Sequence, residues 1–257
     1  MSKKLPKNSF IIVLLGLLLL NAGQAISFQD RPINLKKSQR YETIPVKVVG
    51  TITLPKGWHE GLSLNGGCIW ISNGKSGNIW VIDMDSGRLV SDIEPVADFT
   101  EAVVKKTGDL FFTTDWDQQK LYLARLEDNK LEKELWVSFP GSHPAGILWD
   151  GERLFVIIWK RGLGTRFELL EFDGNLNYSN RISIQDIQEP AHIAWDGANL
   201  WITSWYEQLV YKVDVKRWEI VGAFRSPVSK TTGIVWDGKY LWLTGTYSDL
   251  YKLEIAK

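Results

Sequence analysis

Asp196-Gly197-Ala198-Asn199-Leu200-Trp201 is a turn dipeptide, two variable residues, then a Leu-Trp pair that opens a strand. Four variants stand elsewhere: Asn65-Gly66-Gly67-Cys68-Ile69-Trp70, Thr107-Gly108-Asp109-Leu110-Phe111, Asp150-Gly151-Glu152-Arg153-Leu154-Phe155 and Asp237-Gly238-Lys239-Tyr240-Leu241-Trp242. Anchored on Ile69, Leu110, Leu154, Leu200 and Leu241, they recur after 41, 44, 46 and 41 residues, the length of one four-stranded propeller blade.

Each unit passes from turn to strand four times. In the fourth unit the strands are expected at 191–195, 199–205, 209–215 and 219–225. Tyr211-Lys212-Val213-Asp214-Val215 alternates like a half-buried strand, and the Ile-Trp-rich second strand reads as buried on both faces. The fifth unit ends after its third strand and would leave an open edge. Its missing partner stands near the other terminus. Val48-Val49-Gly50-Thr51-Ile52-Thr53-Leu54-Pro55 matches Ile220-Val221-Gly222-Ala223-Phe224-Arg225-Ser226-Pro227 in the places of Gly and Pro. The expectation is an all-β, five-bladed β-propeller over 43–257, closed by an N-terminal outer strand that pairs with the C-terminal blade.

Residues 1–25 read as a signal peptide: Lys3, Lys4 and Lys7, an apolar run from Phe10 to Leu20, and a small-residue cleavage site at Gly23-Gln24-Ala25. A retained anchor is the alternative. Residues 26–42 read as a polar lead-in. The expected location is secreted or periplasmic, with no stable membrane association after cleavage. A single cysteine, Cys68, forms no internal disulfide and reads as a small buried residue. Thirty basic and thirty acidic residues cancel, without a one-sign run in the mature part, which speaks against nucleic acid as a partner. A monomer is the expected state. The thirteen tryptophans recur at repeat positions, among them Trp149, Trp195 and Trp236. Filling between blades is the first reading for these, and sugar stacking the second.

In such a ring, equivalent loops of all units meet at one mouth. The starts of the first strands carry Trp58-His59-Glu60-Gly61, Phe99-Thr100-Glu101-Ala102, His143-Pro144-Ala145-Gly146, Pro190-Ala191-His192 and Thr231-Thr232-Gly233. Glu60 and Glu101 thereby face one mouth from neighbouring units, an arrangement that raises a carboxyl pKa into general acid/base range. As plain structure, each is a solvated loop residue or a cap on backbone amides. His59, His143 and His192 do not share one side of their strands, so no metal site is expected. The connections between second and third strands bring Trp116, Trp159, Trp205 and Tyr206 beside charged groups, a cup for a small ligand or a peptide end.

At these residues the chain resembles the plant and bacterial glutaminyl-peptide cyclotransferases, five-bladed propellers that turn N-terminal glutamine into pyroglutamate with loss of ammonia. Phe99-Thr100-Glu101-Ala102 resembles that family's Phe-Gly-Glu-Gly segment. Thr114-Asp115-Trp116 is similar to its Leu-Thr-Trp. Thr232-Gly233-Ile234-Val235-Trp236-Asp237 with Leu243-Thr244-Gly245 and Leu250-Tyr251-Lys252-Leu253 resembles its last blade. The chain departs where Pro190-Ala191-His192-Ile193 replaces an Asn-Glu-Leu-Glu segment, Thr246 a Lys, Thr232 an Asn, and Ala145 a Trp.

The resemblance implies catalysis by Glu101, with Glu60 tuning it or binding the ammonium, a substrate side chain held by Trp116 and Trp205, and no cofactor or metal; from their loops, Trp159, Tyr206, His143 and His192 are further substrate-binding candidates. The partner would be a peptide N-terminus or small ligand. A non-catalytic propeller that binds a peptide, glycan or protein is the rival, and a metal-dependent lactonase or lyase the third alternative.

Overall fold

The computed structural model describes residues 24–25, 32–162 and 164–256. Apart from Gln24 and Ala25, the expected signal peptide lies outside the described residues. Among these residues the chain is all β, and no helix is long and apolar enough to cross a membrane.

Three strands come first: β1 (Gln24–Ala25), β2 (Ile33–Thr43) and β3 (Val46–Ile52). Four antiparallel meanders of four strands follow. They are β4–β7 (His59–Asn65, Cys68–Asn73, Ile79–Asp83, Leu89–Ile93), β8–β11 (Thr100–Thr107, Leu110–Asp115, Lys120–Glu127, Lys130–Ser138), β12–β15 (Ser142–Trp149, Arg153–Lys160, Arg166–Asp173, Tyr178–Ile184) and β16–β19 (Pro190–Trp195, Asn199–Ser204, Leu209–Asp214, Glu219–Arg225). The last three strands, β20 (Thr231–Trp236), β21 (Leu241–Gly245) and β22 (Leu250–Ile255), take β3 as their fourth, antiparallel with Leu250 opposite Ile52 and Ile255 opposite Val46. The N-terminal strand thus supplies the outer strand that the end of the chain lacks.

The repeated turn phrase has a chemical basis. Asp196 Oδ1 accepts the backbone N–H groups of Ala198 and Asn199 at 2.8 and 2.7 Å, while Oδ2 takes the Trp201 indole N–H at 2.8 Å. Asp237 repeats this with Lys239, Tyr240 and Trp242. At Asp150 the Arg153 guanidinium replaces the indole. The glycine that follows each Asp has φ between 95° and 104°, a region that suits a residue without Cβ. One carboxylate therefore fixes both the hairpin and the first aromatic of the next strand.

The core consists of five apolar layers, each between two neighbouring meanders. Trp70 and Ile79 meet Phe111 and Leu131; Phe112 and Leu121 meet Leu154 and Phe172; Ile157 and Leu169 meet Ile202 and Val213; Trp201 and Phe224 meet Leu241 and Leu253; Trp242 and Leu250 meet Ile69 and Ile82. Full burial of each such side chain contributes about 1.5–3 kcal/mol, so these layers are the main cohesion between meanders. The first strands also touch in sequence, β4 with β8, β12, β16, β20 and back to β4. Cross-links near that inner ring include Thr114 Oγ1 to the Ala145 carbonyl at 2.9 Å and Thr232 Oγ1 to the His59 carbonyl at 2.8 Å.

The segment read as a polar lead-in contains β2. This strand runs parallel to β15 on one side and to β19 on the other, joining two meanders into one nine-stranded sheet. Leu35, 1% exposed, ties it to the layer between them. Trp149, Trp195 and Trp236 are half-buried, pack against the core layers and also line a cavity of about 240 Å³ floored by Leu62, Ile193 and Ile234.

Candidate functional site

Each first strand breaks register near its start. The shifts fall between His59 and Leu62, Thr100 and Ala102, Pro144 and Ile147, Pro190 and Ile193, and Thr231 and Gly233. A bulge inserts an unpaired residue and re-aims its side chain. Here it does so at Glu60, Glu101, Ala145, Ala191 and Thr232, and four of these five line one cavity of about 680 Å³.

Aromatic side chains form much of its wall. Trp116 follows β9, Trp159 lies near the end of β13 and Trp205 follows β17. Trp58 and Phe99 immediately precede β4 and β8. Trp116 and Trp159 meet edge to face at 5.2 Å, and the Trp159 indole N–H donates to the Pro190 carbonyl at 2.7 Å. Lys75 lies 4.3 Å from the Trp58 ring centre and Arg161 5.8 Å from that of Trp116. Besides Glu60 and Glu101, the acidic wall residues are Asp98, Asp117 and Glu189.

Glu60 is 6% exposed and Glu101 is partly open to the cavity. Burial, and then the charge of Glu101, hold the Glu60 carboxyl well above the usual carboxylate range, against a hydrogen bond from the Trp58 indole. Burial followed by the Asp117 charge pushes Glu101 up to about 8. Desolvation is the leading cause in both. Near neutral pH Glu101 can therefore donate as well as accept a proton, and Glu60, its carboxyl also raised, stands in the same cavity wall.

The other expected ligand-facing residues are placed differently. Tyr206 is 67% exposed and is not part of the cavity wall. His143 stacks on Trp116 at 4.6 Å, with Nδ1 2.9 Å from the Trp116 carbonyl, so it braces that indole from behind. His192 is 1% exposed, and its Nδ1 lies 3.1 Å from the Ile234 carbonyl. A Cβ on Gly61 would stand 2.7 Å from His192 Nε2, and one on Gly146 2.4 Å from its Cα. His192 thus fills space between first strands that two glycines leave free. Burial lowers its pKa to about 4 and keeps it neutral. His59 is buried as well, with Nδ1 3.0 Å from Asn73 Oδ1.

Trp58 and Phe99 stand in the loops read as meeting at one mouth, and Lys75, Asp117 and Arg161 are among the charged groups of the connections read as a cup, though none of the five was singled out as a ligand-facing residue. Glu189 gave no signal: it is one acidic residue before a proline, outside the repeat's strands.

No family model and no curated protein matches the sequence. Solved structures do resemble it. Glutaminyl cyclase from Myxococcus xanthus superposes with a TM-score of 0.64 at 14% identity, over 88% of this chain and 100% of that one. Virginiamycin B lyase from Staphylococcus aureus gives 0.51 at 13% identity, over 82% and 100%. The aldose sugar dehydrogenase of Streptomyces coelicolor gives 0.53 at 15% identity, over 82% and 98%. These are likenesses of fold, and they place the chain among β-propeller-like proteins.

Proposed function

We propose that the chain is an exported, monomeric five-bladed propeller whose aromatic cavity cyclises N-terminal glutamine of peptides, releasing ammonia. The observation that carries this reading is the pairing of Glu60 and Glu101 in one cavity, with both carboxyls raised. The likeness to a glutaminyl cyclase and the sequence resemblance agree with it. In the scheme, the free α-amine attacks the γ-amide carbon and forms the ring C–N bond. Glu101 takes a proton from the attacking nitrogen and delivers it to the departing one, which leaves as ammonia when the old C–N bond breaks. A carboxyl at about 8 matches an α-amine, whose ordinary range is also near 8, so the proton moves at little cost. Trp116, Trp159 and Trp205 would fold the side chain back on the amine.

The test is pyroglutamate formation from a Gln-led peptide. Wild-type protein should turn over, with kcat/KM rising from pH 6 to 8, and Glu101→Gln should lose at least a hundredfold. Absence of turnover, or full turnover in the variant, removes the reading.

One observation favours the rival, a binding propeller without catalysis. Thr232, where the similar family has Asn, commits its hydroxyl to the His59 carbonyl, and His192 is enclosed away from the cavity. That reading expects ligand binding lost in Trp205→Ala and kept in Glu101→Gln.

A further inference from the structure

We propose that a cleft between the third and fourth meanders, at the end remote from the cavity of Glu60 and Glu101, binds a neutral saccharide. Its volume is about 330 Å³, near the lower end of ligand pockets, which run from about 300 to 1,000 Å³. It opens where first strands end and second strands begin, with Asp150, Arg153 and Phe155 on one side and Trp195 and Leu200 on the other. The Glu60 and Glu101 cavity lies where first strands begin.

The cleft exists because one meander lacks the filler that the repeat supplies elsewhere. At the aromatic position after the turn phrase, the first, fourth and fifth meanders carry Trp70, Trp201 and Trp242, all buried between neighbours. Phe111 of the second stacks on Trp70 at 4.8 Å. The third carries the smaller Phe155, and its Asp150 is engaged by Arg153 instead of an indole, through Nε at 3.0 Å and Nη2 at 2.9 Å.

A packing defect alone is lined by apolar groups and stays dry. This cleft has two unlike walls. Cross-strand pairing aligns Phe155, Glu171 and Asn180 on the third meander's side, and the fourth meander faces them with Trp195, Leu200 and Trp218. Arg153 is neutralised by Asp150, and Asn180 Oδ1 accepts the Arg181 backbone N–H at 2.8 Å. The Glu171 carboxylate, the Asn180 amide nitrogen and the indole N–H groups of Trp195 and Trp218 have no hydrogen-bond partner among the described residues. All four belong to half-buried side chains lining the cleft, and none is sealed from solvent. A pyranose offers the matching pair of surfaces: C–H groups that lie against an aromatic ring, and hydroxyls that donate to a carboxylate and accept from N–H groups. The unpaired charge of Glu171 admits neutral sugars and repels acidic ones.

The experiment titrates lactose, cellobiose, maltose and diacetylchitobiose into the wild-type protein, followed by calorimetry. At least one should bind with a Kd of about 1 mM or tighter. Phe155→Trp gives the third meander the indole that three others carry and plugs the cleft, while Glu171→Ala removes the acceptor. Each should weaken binding by about tenfold or more with the circular dichroism spectrum unchanged. Glu101→Gln, in the other cavity, should bind the sugar as the wild type does. Should Phe155→Trp fail to fold, Glu171→Ala carries the same test. Failure of all four sugars to bind overturns the proposal, as does undiminished binding in either folded cleft variant, or loss of binding in Glu101→Gln, which would put the sugar in the other cavity.

Discussion

The Trp58 indole N–H donates to the carboxyl of Glu60, two residues further along the chain. A hydrogen bond to the ionised form lowers a carboxyl pKa, so this contact opposes burial and the charge of Glu101, and it is the weakest of the three influences. Trp58→Phe keeps the aromatic wall and removes the donor. The Glu60 pKa should therefore rise further in a carboxyl-carbon NMR titration, and a fall would show that the indole is not acting as a donor to the charged group.

The raised Glu101 pKa fixes the sign of a pH effect on stability. An exposed glutamate in the unfolded chain ionises near 4.5, whereas the folded protein keeps its proton to about 8. Between these values the native state binds more protons, so stability falls as pH rises, and it is level with respect to this group below and above the window. Full burial would give about 1.4 kcal/mol per pH unit, and partial opening to the cavity reduces the total to about 1–3 kcal/mol. Glu101→Gln should match the wild type at pH 4 and exceed it by that amount at pH 8 in urea unfolding. A variant equally stable at both would contradict the raised pKa.

Gly61 and His192 form a second coupled pair. A methyl group on Gly61 would lie 2.7 Å from His192 Nε2, 2.8 Å from Ala102 Cβ and 2.9 Å from the Glu101 carbonyl. Gly61→Ala should cost about 1–3 kcal/mol through overpacking. In combination with His192→Ala the penalty should be less than additive by about 0.5–1.5 kcal/mol, since one of the three clashes is gone. Strict additivity in a denaturant double-mutant cycle would place the histidine elsewhere.

In three of the five units the repeat was legible because its turn is fixed by local chemistry, one Asp serving two backbone amides and an indole or a guanidinium, and such chemistry recurs as letters at fixed spacing. The closing strand was legible for the same reason, through the shared Gly and Pro of 48–55 and 220–227. The convergence of Glu60, Glu101, Trp116, Trp159 and Trp205 on one cavity followed from treating equivalent positions as neighbours. Loop position alone does not say which histidine reaches the cavity: His192 is packed between first strands and His143 against Trp116, placements that depend on the bulge each of these strands carries. Strand β2 left little trace, since its burial pattern rests on Leu35 amid exposed Lys36, Lys37 and Arg40. Glu189 was silent because a single acidic residue before a proline carries no repeat signal, and only the fold brings it to the cavity wall.

The two outer N-terminal strands should differ in what their loss does. Strand β2 covers the edges of β15 and β19 and contributes Leu35 to one core layer, while each of those meanders remains four strands long without it. Strand β3 is the fourth strand of its sheet, and its loss exposes the whole edge of β22. A chain starting at Pro45 should fold as a monomer with about 2–4 kcal/mol less stability, in keeping with removal of a buried leucine and its strand. A chain starting at Thr53 should associate or precipitate through the open edge. Size-exclusion chromatography with urea unfolding checks both. A soluble monomer of ordinary stability from the shorter chain would show that β3 does not close the ring.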